Sequence, residues 1–144
     1  MQLIHQPCVQ KLLIDRLATV LLAIRKPCGY GFACVVRQKG RGDPGAVNSL
    51  LRWLHECGLG AGVIRLRSDS EVSIRAVANA VAALRTQGET MVEVTPVGSS
   101  SSLGAVERWS ETLAGLTRTL LLDAGGRLGK KLMAPSALFP CAVG

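Results

Sequence analysis

Aromatic residues are scarce in this 144-residue sequence, at 3%, although 48% of the residues are hydrophobic. The core must therefore be built from Leu, Val, Ile and Ala, and the length suits one domain with a single core. No apolar run is long enough to cross a membrane, and the first residues lack the basic segment and cleavage pattern of a signal peptide. We therefore expect an intracellular protein of the nucleus or cytoplasm, with no membrane partner.

Several enzyme motifs are also missing. The sequence has no glycine pattern of a dinucleotide-binding or P-loop site, and its serines lack a paired histidine. These absences argue against an enzyme that acts on a small-molecule substrate. The five cysteines are odd in number and irregularly spaced, which argues against a disulfide framework and for a reducing compartment.

Basic residues exceed acidic ones, and the net charge of +7 favours a polyanionic partner. The alternative is that the charge only keeps the domain in solution. The basic residues extend into a Gly- and Pro-rich tail, where Lys130 and Lys131 are candidate phosphate contacts. We divide the chain into an N-terminal extension (1–11), a folded core (12–122) and this tail (123–144).

Hydrophobic periodicity and turn residues predict an α/β domain, with a mixed sheet flanked by helices. The predicted order is hairpin, helix, strand, helix, strand, helix. The hairpin strands are expected at 17–24 and 32–36, although periodicity alone leaves a helix open for the first. Later strands are expected at 62–67 and 91–95, and helices at 44–57, 71–85 and 104–121. Asp43 is predicted to cap the first helix, with Pro44 at its first position.

Two acidic residues follow strands in distinctive contexts. Asp69 ends the sequence Leu-Arg-Ser-Asp, directly after the 62–67 strand, and Glu107 lies in Gly-Ala-Val-Glu-Arg after a Thr-Pro pair and a run of serines. Two carboxylates that different elements bring to one point are what a divalent-metal phosphoryl-transfer site needs. The alternatives are an N-cap role for Asp69 and a helix-dipole role for Glu107.

These two pieces resemble the catalytic core of retroviral and retrotransposon integrases, in which an Asp, Asp, Glu triad holds divalent cations. The resemblance implies a ribonuclease-H-like fold, DNA as partner, self-association, and Mg²⁺ or Mn²⁺ as cofactor. It assigns Asp69 and Glu107 as catalytic metal ligands, with neither acting as nucleophile. Candidate nucleic-acid contacts in addition to the tail lysines are Arg108, Arg118 and, in the serine loop, Ser101.

The sequence departs from the family at the first Asp of the triad. Counted from the hairpin, that position falls on Arg25, and Asp15 is the nearest acid. Either Asp15 serves through another register or the first ligand is missing. A guanidinium at position 25 would pair with Asp69 and Glu107 in place of a metal, so we expect impaired catalysis. The alternatives are a non-catalytic DNA-binding or assembly module and a fragment of a decayed element. A further strand near the hairpin is expected from the family but is not evident.

Overall fold

The computed structural model describes residues 6–14, 18–37, 43–95 and 100–132, with side chains described except in 6–14, 18 and 100–103. A five-stranded sheet has the order β3-β2-β1-β4-β5. β1 pairs antiparallel with β2, and β2 with β3, whereas β1–β4 and β4–β5 are parallel. The elements are β1 (Gln6–Ile14), β2 (Ala18–Lys26), β3 (Tyr30–Val36), α1 (Pro44–Glu56), β4 (Ile64–Ser68), α2 (Val72–Leu84), β5 (Thr90–Val94) and α3 (Ser100–Leu128). The predicted α/β fold with a mixed sheet is confirmed.

The sheet is covered on both faces, and β2 contributes to both cores. Leu21 and Ala23 pack in the core beneath α1 and α2, together with Ile64 and Leu66 of β4. Their neighbours Val20, Leu22 and Ile24 lie in a second core with side chains of α3. Because successive residues of a strand face opposite sides, α3 lies across the sheet from α1 and α2. A strand with both faces buried is apolar throughout, which explains why β2 was evident from the sequence.

Asp43 begins α1 as predicted. Its Oδ1 accepts a hydrogen bond from the Gly45 amide at 2.9 Å, with Pro44 at the start of the helix. Its Oδ2 also accepts a hydrogen bond from the Arg37 amide at 2.7 Å, directly after β3. One carboxylate therefore caps α1 and also holds the backbone directly after β3.

The prediction that the folded core begins at residue 12 is wrong. β1 begins at Gln6, and the strand expected at 17–24 is the second of the sheet. The hairpin predicted from the sequence is therefore β2–β3, and β1 is the strand that the family resemblance required. This shift by one strand changes which residue stands at the first acidic position.

The last helix is longer than predicted and turns a different face to the core. It begins at Ser100, within the serine run, and continues to Leu128, so 123–128 is helical rather than part of a loose tail. Helical spacing from Trp109 and Leu113 predicts that Leu116 and Leu120 face the core, but 54% and 52% of their surface is exposed. The side chains that are buried instead are Val106, Leu113, Ala114, Thr117 and Leu121. None of the helices among the described residues is both long and apolar enough to cross a membrane.

Arg85 connects the loops that precede β4 and β5 through hydrogen bonds. Its side chain is buried, with 5% exposed, and its guanidinium donates five hydrogen bonds of 2.7–3.0 Å. The acceptors are the carbonyl oxygens of Leu59, Ala61, Gly62 and Glu89 and the hydroxyl of Thr90. All of these acceptors are neutral. The guanidinium therefore takes the place of water for a cluster of loop carbonyls, of which the Glu89 carbonyl also accepts a hydrogen bond from the Ile64 amide at 3.0 Å.

We expect Arg85→Ala to lower the free energy of unfolding by about 3 kcal/mol or more, because several half-buried acceptors lose their donor at once. Chemical denaturation monitored by circular dichroism measures the change. Arg75→Ala is the matched control, since Arg75 is exposed on α2 and its loss should stay within about 0.5 kcal/mol. Equal effects of the two substitutions would contradict the structural role of Arg85.

The described cysteines should differ in reactivity. Burial, and then the charge of Asp43, raise the pKa of the Cys34 thiol to about 11, whereas Cys28 is exposed. A thiol with that pKa is about one part in a thousand thiolate at pH 8, and the thiolate is the reactive form. We expect maleimide to modify Cys28 well before Cys34 at pH 8, with the Cys34 rate still rising as the pH approaches 11. Mass spectrometry of the labelled peptides measures both rates, and equal rates at pH 8 would contradict the burial of Cys34.

Candidate functional site

Asp69 leaves the C-terminal end of β4 and is not the cap of α2. It follows Ser68 directly and is half-buried. The N-cap of α2 is Glu71, which accepts a hydrogen bond from the Ser73 hydroxyl at 2.7 Å. Asp69 itself accepts only a long hydrogen bond from Ser70, at 3.4 Å. The capping alternative for Asp69 is therefore wrong, and its carboxylate has little structural role among the described residues.

Glu107 is held at a defined place on α3 by its neighbours. Val106 is fully buried in the core between α3 and β2. The Trp109 ring lies against Gly31 of β3 so closely that a β-carbon there would stand 2.7 Å from Trp109 Cε2. Glu107 lies between these two anchors, and its exposed carboxylate makes no ion pair or hydrogen bond within the described residues.

The helix-dipole alternative for Glu107 also fails. α3 begins at Ser100, so Glu107 is two turns into the helix, whereas the favourable effect of the dipole is confined to the first turn. Neither Asp69 nor Glu107 is therefore explained by the local structural role that the sequence allowed.

The register of the sheet identifies the position beside Asp69 on the central strand. Cys8 of β1 stands next to Arg67 of β4, and Val9 stands next to Ser68. The recorded pairing ends there, and one further step in the same register would bring Gln10 beside Asp69, the residue that follows β4. β1 contains no acidic residue at all. Gln10 was not evident from the sequence, because the apolar run of β2 resembles the first strand of the sheet.

Arg25 does not pair with Asp69 or Glu107, and the prediction that its guanidinium takes the place of a metal between them is wrong. It lies opposite Pro7, near the start of β1, and β2 runs antiparallel to β1. Its backbone therefore stands about 10 Å from Asp69 along the strands and about 10 Å across them. The Arg25 guanidinium donates to the Cys57 carbonyl at 2.6 Å, on the side of α1. It serves the end of that helix and does not replace a metal between Asp69 and Glu107.

Asp15, the other candidate for the first ligand, lies outside the described residues. Ile14, the last residue of β1, is four positions beyond Gln10, or about 13 Å along the strand. Within the described part of the chain, no three His, Cys, Asp or Glu side chains are grouped so that they could hold a metal ion. Asp69 and Glu107 alone do not fit the three-carboxylate centre that the resemblance implies.

The candidate nucleic-acid contacts are distributed along and beyond α3. Arg108 and Arg118 are exposed on the helix, and Lys130 and Lys131 are exposed just after its end. Ser101 lies in the first turn of α3, but its side chain is outside the described residues. Four cations that the sequence singled out are therefore accessible on one side of the sheet or at the end of its helix.

A further charged cluster, not predicted from the sequence, lies on β4 and β5. Arg65 Nε is 3.0 Å from Glu93 Oε1, and Arg67 Nη2 is 3.2 Å from Glu93 Oε2. Arg67 and Glu93 are direct partners in the parallel register. The alternation of Ile64, Arg65, Leu66 and Arg67 was the signal, because it places both arginines on one face of the sheet.

Comparisons with known proteins add information on the fold. No family model matches the sequence, and no curated protein matches it. The structure is similar to a chain of the simian T-cell lymphotropic virus intasome, solved in complex with the PP2A regulatory subunit B56 gamma. That match has a TM-score of 0.59 and 17% identity over 97% of this chain. This chain spans 46% of that one, less than half its length.

The second similar structure is the catalytic core domain of BIV integrase. The TM-score is again 0.59, with 13% identity over 96% of this chain and 77% of the other. At identities this low, the TM-scores of 0.59 show a shared fold and nothing further. The resemblance read from the sequence is confirmed at this level: the chain has the fold of a retroviral integrase catalytic core.

Proposed function

We propose that this protein is a retroelement-derived integrase core that binds DNA and has lost the metal centre for strand transfer. The observation that supports the proposal is the register of β1 and β4, whose last recorded pair, Val9 and Ser68, directly precedes Gln10 and Asp69. An amide oxygen is neutral and a weaker ligand for a hard divalent cation than a carboxylate. The two remaining acids would have to hold Mg²⁺ or Mn²⁺ without the third charge.

DNA binding rests on charge and on the fold. The net charge of +7 attracts polyanions, and the exposed cations of α3 lie on the side of the sheet opposite α1 and α2. Phosphate contacts of this kind need no metal and no strict geometry. Self-association of the chain, which the resemblance also implies, stays a prediction.

Restoring the missing carboxylate tests the lost metal centre. We expect Gln10→Asp to raise the affinity for Mn²⁺ by about tenfold or more over the wild type, because affinity follows the number of charged ligands. Titration calorimetry measures the affinity directly, and strand transfer on a DNA duplex is the second measurement. Gln10→Asn is the matched control, since it shortens the side chain equally but adds no charge. The double variant Gln10→Asp with Asp69→Asn should lose the gain.

Two outcomes would contradict the proposed loss. The first is metal-dependent strand transfer by the wild-type protein. The second is a gain in Gln10→Asp that persists after Asp69→Asn, because the new carboxylate would then act away from Asp69.

The DNA-binding part of the proposal predicts a difference between the two sides of the sheet. We expect the double variant Arg108→Ala with Arg118→Ala to reduce the slope of log K against log salt concentration by about 1.8, as two lost phosphate contacts require. Fluorescence anisotropy with a labelled duplex, between about 50 and 200 mM salt, measures the slope.

The control removes the same charge from the other side of the sheet. Arg52 and Arg75 are exposed on α1 and α2, so Arg52→Ala with Arg75→Ala should leave the slope nearly unchanged. If both double variants lower the slope equally, binding follows net charge alone and the α3 side is not the DNA-binding surface.

A further inference from the structure

α3 leaves one part of its side of the sheet open. It packs on β1 and β2, and the described residues include no comparable packing of α3 on β4 or β5. On this open part the side chains of Arg65, Arg67 and Glu93 are 26–37% exposed. Met91, which follows the same alternation on β5, is 41% exposed. A charged cluster therefore occupies a sheet surface that elsewhere supports an apolar core.

The two guanidinium groups share a single carboxylate. Arg65 approaches Oε1 of Glu93, and Arg67 approaches Oε2 through both Nε (3.4 Å) and Nη2 (3.2 Å). The contact of Arg65 Nε does not have hydrogen-bond geometry, so this buried donor lacks a hydrogen-bond partner. Each guanidinium carries five N–H donors, so the two groups together have more donors than one carboxylate can accept. The cluster keeps a net charge of +1 and unused donors.

We infer that Arg65 and Arg67 form a phosphate-binding pair for DNA, which Glu93 occupies when no DNA is bound. This inference rests on the proposed function and assigns a surface for it. A phosphate group offers more acceptor oxygens than Glu93 and matches the planar donor fork of arginine. Arg67 is two residues before Asp69, which is about 6.7 Å along the strand. DNA held by the pair would therefore pass the candidate site at the end of β4.

The pair differs from Arg85, the other arginine held by several acceptors. Arg85 donates to five neutral groups and is buried, so no donor remains for a ligand. Arg65 and Arg67 are held by one side chain, that of Glu93 on the neighbouring strand, and all three side chains are partly exposed. Exchange of that carboxylate for phosphate oxygens requires no movement of the backbone.

Glu93→Gln is the decisive substitution, because it keeps the volume of the side chain and releases both guanidinium groups. We expect it to strengthen binding to a fluorescein-labelled duplex, because the phosphate oxygens no longer have to displace the carboxylate, whereas the salt slope should fall by about 1.8 only when both arginines are removed. Glu111→Gln is the matched control. Glu111 is exposed on α3, so its loss removes the same charge without releasing an arginine. The gain of Glu93→Gln should disappear when Arg65→Gln and Arg67→Gln are added.

A second measurement uses the wild-type protein and does not depend on how a variant folds. Phenylglyoxal modifies accessible arginines, and we expect bound DNA to protect Arg65 and Arg67 while Arg52 and Arg75 remain reactive. Mass spectrometry of the peptides measures each site. Protection of the pair supports the inference, and continued modification under saturating DNA overturns it.

The outcomes separate this inference from the proposed function. Wild-type binding with equal effects of Glu93→Gln and Glu111→Gln would overturn the arginine pair alone. No binding to the duplex by the wild type at low salt would overturn the proposed DNA binding, and the pair with it.

Discussion

The parallel register between β1 and β4 is the constraint on which the candidate site depends. Side chains alternate with a period of two along a strand, so a slip of one residue would move every side chain to the opposite face. Here β1 also pairs with β2 over nine positions, from Gln6 to Ile14. β2 in turn fills two different cores with its alternate residues. The register of β1 against its neighbours therefore cannot shift unless both cores are repacked.

The sequence predicted the elements that carry strong local signals. α1 has Asp43 and Pro44 at its start and a glycine with positive φ, Gly58, after its end. β4 and β5 were recognised from alternation, and α2 from its apolar face. β1 was missed because Pro7, Gln10 and Lys11 interrupt its apolar residues, although the strand is central. β1 is stabilised by pairing with β2 on one side and β4 on the other. A local sequence pattern does not reveal such pairing. The family motif was then counted from β2, and this one error led to Arg25.

The error in α3 has a different physical cause. A helix rich in leucine offers more than one apolar stripe, and the sequence favoured the one with Leu116 and Leu120. The structure buries the neighbouring stripe, including Thr117, because Val20, Leu22 and Ile24 meet that side. Periodicity identified the helix, but only the partner surface decides which face is covered. The same reasoning applies to Asp69 and Glu107. The sequence identified both, while their local alternatives could be rejected only once the helix starts were known.

Metal-dependent chemistry and nucleic-acid binding place different demands on this fold. A divalent cation needs charged oxygens at a few fixed points, and one neutral residue at such a point weakens the centre greatly. Binding to phosphates draws on cations spread over a surface, and each contributes a modest share that depends on salt. The proposed function rests on this difference: the neutral residue at position 10 would weaken a metal centre, whereas the net charge of +7 and the partly exposed arginines of β4 would favour binding to phosphates. A core of this kind can therefore lose catalysis through one position on β1 and keep its attraction for DNA.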